Sequence, residues 1–560
     1  MQNPSSTDPP PAPPPPQPAA VHQPQDFGHT SNNMPYRDTS WTPGTLEDIT
    51  AEKSQPMPPT GNWFSRNKLK STLLATGILA ILAVAIAVPI SAVNRSDQRS
   101  LNTQGGGGSS SSNNRNHNDG LSKTDDDGTP IDDNAQANPH VPPLNKDFRY
   151  GIDPIRGVNL GGWLVIEPFI TPSLFDQFPA QDNVVDEWGL CEKLGPEKAK
   201  EQLKKHYETF VTEEDFKNMQ KMGINHVRIP TGHWAIAPVQ GEPFVPNLSW
   251  DYLMKGIRWA RKYGLRVMVE LHTAPGSQNG WNHSGRKGQV RWLNGTDGEM
   301  YGQLTMDTVT KMMEFFFDKP GYEHVVPIFG VLNEPAIYRV DKDRAKQWYH
   351  DSHDKIRKIT GDGKGPLLTY HDGFLGMPPW NGFFKDPSFQ RVILETHTYL
   401  IFDDDLVSMP REKQSKFPCV AWERDLNNSM RDNGPTMVGE FSVATNDCGK
   451  YLNGVRLGTR YEGNLVDGDT KIDHPVCPGC SCQGVEDWKH WDDDYKKFLL
   501  SFVERQMDAF ETSYGWFFWT YKTEDHINPH WDYLLGWEQG WIPKDANNRQ
   551  SSCKDVGPSL

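Results

Sequence analysis

Eight short apolar runs in the C-terminal part of the chain constrain its fold more than any other feature. Most of these runs are followed by a helix-like stretch, such as residues 249–264 or 494–511. Near-continuous apolar strands joined by helical crossovers are typical of a parallel sheet that is covered on both faces. Eight such units predict an α/β fold, a closed (β/α)8 TIM barrel. The runs are GVNLGGWLV (157–165), INHVRIP (224–230), RVMVELH (266–272), VVPIFGVLNEP (325–335), PLLTYHD (366–372), RVILETHTY (391–399), PTMVGEFS (435–442) and GWFFWTYK (515–522).

The N-terminal part of the chain has a different composition. It opens with a Pro-rich stretch at 8–18 and includes GGGGSSSSNNRNHNDG at 105–120. Such sequences cannot bury enough apolar surface to offset the entropy of ordering, and therefore disorder is expected. The Pro-rich stretch could bind SH3-like domains as a polyproline helix, although an unstructured spacer is the favoured interpretation.

Residues 71–94, STLLATGILAILAVAIAVPISAVN, contain no charge and are long enough to cross a bilayer. A buried core helix is the alternative, but only low-complexity sequence surrounds the segment. Three basic residues at 66–70 precede it, whereas the two arginines at 95–99 are accompanied by Asp97. The positive-inside rule then predicts a signal anchor with the barrel outside the cell. The predicted parts are a disordered Pro-rich cytoplasmic tail (1–70), a transmembrane helix (71–94), a Gly/Ser/Asn-rich stalk (95–146) and the barrel domain (147–560).

Charge restricts the range of partners. The chain has 72 acidic and 57 basic residues and a net charge of −15, and its barrel part shows no basic patch. This composition argues against a nucleic-acid partner and favours a neutral polymer or small neutral substrate. No metal or cofactor is expected. The sequence does not indicate an oligomeric state.

An external barrel should carry glycans and disulfides. Glycosylation is predicted at the sequons of Asn247, Asn294 and Asn427, while Asn94 lies too close to the membrane. The seven cysteines suit an oxidising compartment. CPGCSC at 477–482 could suggest zinc, but no second C-x-x-C or nearby histidine pair completes such a site, and disulfides are favoured. The odd count leaves a thiol unpaired or intermolecular, and Cys191 is the candidate.

Polar and aromatic residues stand at the ends of six of the eight runs. In a TIM barrel the loops after the strands converge on one rim, where active sites are built. Each residue alone has an ordinary structural explanation, but together they predict a site. The residues are Arg228, His272, Asn333, Glu334, His397, Tyr399, Glu440 and Trp519.

Two of these residues, Glu334 and Glu440, lie at the ends of the fourth and seventh runs. Two carboxyls that flank one bond are the minimum requirement for glycoside hydrolysis, one as acid and the other as nucleophile. Their environments must separate their pKa values. Arg228 and Tyr399 could keep Glu440 anionic. Asn333 could bind a sugar 2-hydroxyl, and Trp519 offers an apolar face to a sugar ring.

The chain closely resembles fungal exo-β-1,3-glucanases of glycoside hydrolase family 5. The resemblance covers residues 148–553, and its membrane-anchored layout is similar to the type II plasma-membrane members of that group. It rests on specific blocks of sequence. These are RGVNLGGWLVIEPFITPSLF (156–175), HTAPGSQNG (272–280), NEP (333–335), GEFS (439–442) and FFWTYKTE (517–524).

The resemblance assigns roles to residues. It implies Glu334 as acid/base and Glu440 as nucleophile, with Glu167 binding a sugar hydroxyl. The family clamps the next glucose between two phenylalanines; Phe402 matches one, and Trp281 replaces the other. Where the family commonly has an aspartate, this chain has Asn282 in an N-H-S sequon, which is expected to stay unmodified because a glycan there would crowd the entrance. The remaining subsite residues implied are Arg228, His272, Asn333, His397, Tyr399 and Trp519.

The resemblance also implies pairing of Cys419 with Cys553, and of Cys448 with Cys482 or a neighbour, and gives no partner for Cys477 and Cys480. The expected function is a retaining exo-β-1,3-glucanase that releases glucose from cell-wall β-1,3-glucan. Transglycosylation and cleavage of β-1,6 bonds are alternatives, because the same two carboxyls serve both. A non-catalytic glucan-binding protein is a third alternative, which the presence of both glutamates disfavours.

Overall fold

Eight parallel strands close into a barrel in the computed structural model, which describes Thr124, Gly128, residues 130–317 and residues 321–557. Each strand pairs with its sequence neighbours among the eight, and the last pairs with the first, so the predicted TIM barrel is confirmed. Every one of the eight apolar runs overlaps one strand, although β1 begins two residues before its run and β2 ends one residue after its run. The strands are β1 Ile155–Asn159, β2 His226–Thr231, β3 Arg266–Leu271, β4 Ile328–Gly330, β5 Leu367–His371, β6 Val392–His397, β7 Thr436–Phe441 and, after a hairpin, β10 Gly515–Phe518.

Helices follow the strands and cover the outside of the barrel. Several begin at acidic caps whose side chains accept a backbone N–H: Asp186 from Gly189, and Asp341 from Arg344. The α-helices are α1 Ser173–Asp176, α2 Glu187–Leu194, α3 Pro196–Thr209, α4 Glu213–Lys221, α5 Leu248–Lys262, α6 Gly298–Phe317, α7 Lys342–Thr360, α8 Asp404–Val407, α9 Arg411–Phe417, α10 Glu423–Asp432, α11 Asp493–Phe510 and α12 Tyr533–Gln539.

The segment before β1 packs against the N-terminal ends of the strands. The Arg266 guanidinium, at the start of β3, donates hydrogen bonds to the carbonyls of Pro142, Pro143 and Lys146. Leu144 is 2% exposed and belongs to the main core. Residues 131–146 were expected in the stalk. Their packing extends the folded unit to the N-terminal side of residue 147.

The cysteines form three disulfides. Cys419–Cys553 and Cys448–Cys482 pair as the family resemblance implies, and Cys477 pairs with Cys480. Cys191 is free and buried, as expected from the odd count. The last two bridges lie in a long excursion after β7, which also contains a small antiparallel hairpin. Its strands are β8 Val466–Asp467 and β9 Thr470–Lys471.

Two sets of sequence predictions concern the surface and the membrane. Asn247, Asn294 and Asn427 are all exposed, a requirement for glycosylation. The predicted transmembrane segment at 71–94 and the Pro-rich tail lie outside the described residues. Among the helices that the structure describes, none combines the length and apolarity that crossing a bilayer requires.

Removal of the Cys419–Cys553 bridge should destabilise the barrel strongly. The two cysteines are 134 positions apart, and the chain-entropy model assigns a loop of that size about 5 kcal/mol. Cys419→Ser and Cys553→Ser should each lower the free energy of unfolding by several kcal/mol, measured by denaturant unfolding. The double variant should lose no more than either single variant. Additive losses would show that each cysteine stabilises the fold independently of the bridge.

Candidate active site

A buried arginine organises the C-terminal rim of the barrel. Arg228, in β2, is fully buried, and its Nη1 donates to Oδ1 of Asn159 at 2.9 Å and to Oε1 of Glu440 at 2.9 Å. Its Nη2 donates to Oδ1 of Asn333 at 2.8 Å and to Oε1 of Glu270 at 3.2 Å. The guanidinium therefore fixes four side chains that come from different parts of the rim.

Glu440, at the end of β7, is held at both carboxylate oxygens. Arg228 binds Oε1, and the hydroxyl of Tyr399 donates to Oε2 at 2.8 Å. Both contacts were expected from the sequence. Burial raises the pKa of Glu440 to about 8, although Arg228 and the Tyr399 hydroxyl act to lower it. These two donors direct the carboxylate into the cleft and favour its charged form.

Glu334 follows β4 in the left-handed region of backbone space, with φ of +45°. Such a conformation costs energy in a residue other than glycine and persists only where neighbours impose it. The loop after β3 does so here. Gln278 donates its Nε2 to the carbonyl of Asn333 at 2.9 Å, and Asn279 donates to the carbonyl of Glu334 at 3.2 Å.

One histidine lies between the two carboxyls. Nδ1 of His397, in β6, is 2.6 Å from Oε1 of Glu334 and 3.4 Å from Oε2 of Glu440. These two oxygens are therefore at most about 6 Å apart. Burial lowers the pKa of His397 well below its ordinary value, so the imidazole is neutral.

The environment separates the two glutamates. Burial, followed by the charge of Glu440, raises the pKa of Glu334 well above its ordinary value. Glu440 instead has Arg228 and Tyr399 in direct contact with its carboxylate. Glu334 is consequently the more basic of the pair, and as the pH rises it keeps its proton after Glu440 has lost one. This order suits an acid and a nucleophile.

A cleft of about 830 Å³ opens above these groups. Arg228 and His397 support it from below. Trp519 stacks on His272 with ring centroids 5.7 Å apart, and one carboxylate oxygen of Glu167 has no hydrogen-bond partner among the described residues. The structure thus gathers every residue that the sequence analysis placed in the site. Those that line the cleft are Glu167, His272, Trp281, Asn282, Asn333, Glu334, Tyr399, Phe402, Glu440 and Trp519.

Sequence reasoning missed a lower layer of buried acids. Glu270 and Glu395 both contact Nη2 of Arg228 at 3.2 Å, and Glu270 also contacts Nδ1 of His272 at 2.9 Å. Each acid stands two positions before a predicted histidine, so the pair shares one face of its strand. That Glu-x-His spacing, at the ends of β3 and β6, was the sequence signal that could have identified the two acids. Asn159 and His283 were also missed.

The described residues include one cluster with ligand atoms for a metal. Glu334, His371 and His397 each place such an atom within 4.8 Å of the others. Nδ1 of His371 accepts the backbone N–H of Gly373 at 3.0 Å, which puts the proton of the neutral ring on Nε2. Nε2 has no partner among the described residues. A ring nitrogen that carries a proton can donate a hydrogen bond but has no lone pair for a metal. The cluster is therefore better suited to hydrogen bonding than to metal binding.

Comparison with known proteins identifies the barrel. Residues 191–457, which include β2 to β7 with Glu334 and Glu440, match the cellulase family (glycosyl hydrolase family 5). The chain carries a glycosyl hydrolase family 5 domain. In this family 5 domain Glu334 follows the fourth barrel strand, and Glu440 lies at the end of the seventh.

Relatives of this family 5 domain include proteins from Aspergillus and Emericella. Probable glucan 1,3-beta-glucosidase D of Aspergillus terreus is 42% identical over 436 residues, which cover 77% of this chain and 51% of that protein. Glucan 1,3-beta-glucosidase D of Emericella nidulans is also 42% identical, with the same coverage. The chain thus spans about half the length of the curated relatives it matches. A rutinosidase structure from Aspergillus niger shares the fold, with a TM-score of 0.54, 18% identity and coverage of 71% of this chain and 100% of its own.

The buried acids of the family 5 domain should make its stability depend on pH. Burial raises the pKa of Glu270 to about 8, so the folded protein holds a proton on this group that the unfolded chain releases near pH 4.5. Stability from this group is complete below the unfolded pKa and is lost as pH rises toward 8. Glu270→Gln should therefore show a smaller fall in unfolding free energy between pH 4.5 and 8, measured by denaturant titration. An unchanged slope would contradict the assignment.

Proposed function

We propose that the protein is a retaining exo-β-1,3-glucanase that releases glucose from the non-reducing ends of β-1,3-glucan. Membership of family 5 and the names of the fungal relatives support a glucan 1,3-β-glucosidase. The site itself supports the chemistry. It presents two buried carboxyls of different basicity beside an aromatic surface that suits a neutral sugar.

The distance between the carboxyls of Glu334 and Glu440 is the observation that supports a retaining mechanism. Retaining glycosidases hold their carboxyls about 5–5.5 Å apart, whereas inverting enzymes need about 6.5–9.5 Å to admit a water molecule. The contacts of His397 keep the nearest oxygens of Glu334 and Glu440 within about 6 Å. That distance lies below the inverting range and favours a direct attack on the sugar.

The reaction then has two steps. In the first, a carboxylate oxygen of Glu440 attacks C1 while Glu334 gives its proton to the departing glycosidic oxygen, which leaves as the shortened glucan. In the second, Glu334 removes a proton from water, and the resulting hydroxide displaces Glu440 from C1. Glucose leaves with its β configuration, and both carboxyls return to their starting states.

The remaining cleft residues suit a glucose unit at the cleavage point. The ring of Trp519, stacked on His272, provides a flat apolar surface for the sugar. Asn333, fixed by Arg228, could bind the 2-hydroxyl, and the partly unpaired carboxylate of Glu167 offers an acceptor to another hydroxyl. Trp281 and Phe402, from the loops after β3 and β6, would clamp the next glucose.

Two related activities use the same groups. An acceptor sugar that replaces water in the second step would make the protein a β-glucan transglycosylase. A leaving-group side of the cleft that accommodates a β-1,6-linked glucose would permit cleavage of β-1,6 bonds. A purely glucan-binding protein does not require two carboxyls of different basicity. The hydrolase is therefore favoured.

We also propose that the barrel acts outside the plasma membrane, facing the cell wall, as a single-pass type II protein. Three disulfides are typical of an oxidising compartment. Exposed sequons at Asn247, Asn294 and Asn427 are compatible with that location.

Digestion of intact fungal protoplasts with protease should remove the barrel. A protected barrel would contradict the orientation.

Substitution of the two carboxyls should separate their roles. Glu440→Gln should lose more than 1,000-fold in kcat and should not be labelled by a 2-deoxy-2-fluoroglucoside that carries an activated leaving group, as measured by intact-protein mass spectrometry. Glu334→Gln should be slow on glucan but still labelled, because an activated leaving group departs without a proton. Labelling of Glu440→Gln would show that another residue is the nucleophile.

Product analysis should distinguish the modes of action. Incubation with a linear β-1,3-glucan should release free β-glucose from the first minutes, followed by proton NMR and chromatography. An early ladder of oligosaccharides would mean internal cleavage, and products longer than the substrate would mean transglycosylation. Release of α-glucose would exclude the retaining mechanism.

A further inference from the structure

A histidine that the sequence analysis did not assign contacts the second oxygen of Glu334. Nε2 of His283 lies 3.4 Å from Oε2 of this carboxyl, while His397 holds Oε1 at 2.6 Å. His283 lines the cleft, whereas His397 supports it from below. Oε2 is therefore the oxygen next to the cleft-lining histidine, and in the proposed function it is the atom that would exchange a proton with the glycosidic oxygen.

The position of His283 is fixed by its surroundings. It occupies a short 3-10 turn, Asn282–Ser284, in the loop after β3. The Oγ atom of Ser284 lies 2.7 Å from the carbonyl oxygen of Trp281 and 2.6 Å from Oγ of Ser277. The imidazole itself packs between the rings of Trp281, at 5.5 Å, and His272, at 5.7 Å. Ser284, the serine of the N-H-S tripeptide, is buried, and its hydrogen bonds hold the turn that carries His283.

The imidazole is neutral in this environment. Burial, together with His272 and Arg228, lowers the pKa of His283 to about 3. A neutral ring that carries its proton on Nε2 can donate to Oε2 of Glu334. That hydrogen bond strengthens as Glu334 passes its own proton to the leaving group and becomes a carboxylate, because charged acceptors bind donors more strongly. An interaction that grows toward the transition state accelerates the step.

We propose that His283 is a further catalytic residue, whose Nε2–H holds Oε2 of Glu334 and stabilises the carboxylate formed as the leaving group takes its proton. The proposal rests on the acid/base role of Glu334 in the proposed function. The proton that reaches the glycosidic oxygen comes from Glu334, and His283 keeps its own. The distance of 3.4 Å is long for a hydrogen bond, and catalytic hydrogen bonds often tighten when substrate binds.

The proposal makes the effect of His283 depend on the leaving group. A sugar leaving group needs a full proton, whereas 2,4-dinitrophenolate needs none. In the full-length protein, His283→Phe should reduce kcat/KM about 10- to 100-fold for laminaribiose, the range expected for loss of one hydrogen bond to a charged group. The same variant should change kcat/KM for 2,4-dinitrophenyl β-glucoside by less than about 3-fold.

A matched variant provides the control. His283→Gln keeps a terminal N–H donor at similar reach and leaves the N-x-S sequon unchanged, so it should recover most of the laminaribiose activity. Equal losses on both substrates would show that the ring only shapes the cleft and would overturn the proposal, as would full laminaribiose activity in His283→Phe. If His283→Phe does not fold, as judged by thermal melting, His283→Leu, which also lacks a donor, takes its place, with the same outcomes.

A parallel variant separates this proposal from the proposed function. Glu334→Ala should lose laminaribiose activity, react with the dinitrophenyl substrate and form β-glucosyl azide when azide is added. If Glu334→Ala retains laminaribiose activity, the acid/base assignment fails, and the role of His283 fails with it. If Glu334→Ala behaves as expected and His283→Phe shows no leaving-group dependence, only the role of His283 is overturned.

Discussion

The buried guanidinium of Arg228 is the interaction on which the rest of the site depends. It contacts residues from β1, β3, β6 and β7 and from the loop after β4. Burial alone would lower the pKa of Arg228, but the surrounding carboxylates raise it above its ordinary value and keep the group charged. A planar group with five donors can satisfy several acceptors at once, which a lysine could not do. One side chain thus positions the polar side chains of five neighbouring segments of the barrel.

The same cation explains how so many acids can be buried together. Several carboxyls and several imidazoles surround one positive charge, and burial keeps the imidazoles neutral. A single cation cannot balance every carboxylate, so some carboxyls must hold protons in the folded state. Glu440 has both Arg228 and the Tyr399 hydroxyl on its carboxylate, a combination that Glu334 lacks. These two contacts distinguish the proposed nucleophile from the proposed acid.

The sequence predicted the architecture and the upper layer of the site well, for physical reasons. Strands buried on both faces read as apolar runs, and a polar residue at the end of such a run needs an explanation; Glu334 and Glu440 were found in this way. Glu270 and Glu395 were missed because each lies inside an apolar run, and a single acid inside such a run does not mark a strand end. His283 was missed because it lies in a loop, where histidine is unremarkable and only the tertiary fold brings it to Glu334.

The segment before β1 determines where the chain enters the barrel. Residues 131–146 lie across the strand starts, whereas the cleft opens at the strand ends. The two features are at opposite poles of the barrel axis. A contact made at residues 131–146 therefore leaves the cleft accessible, because the cleft opens at the other end of the barrel.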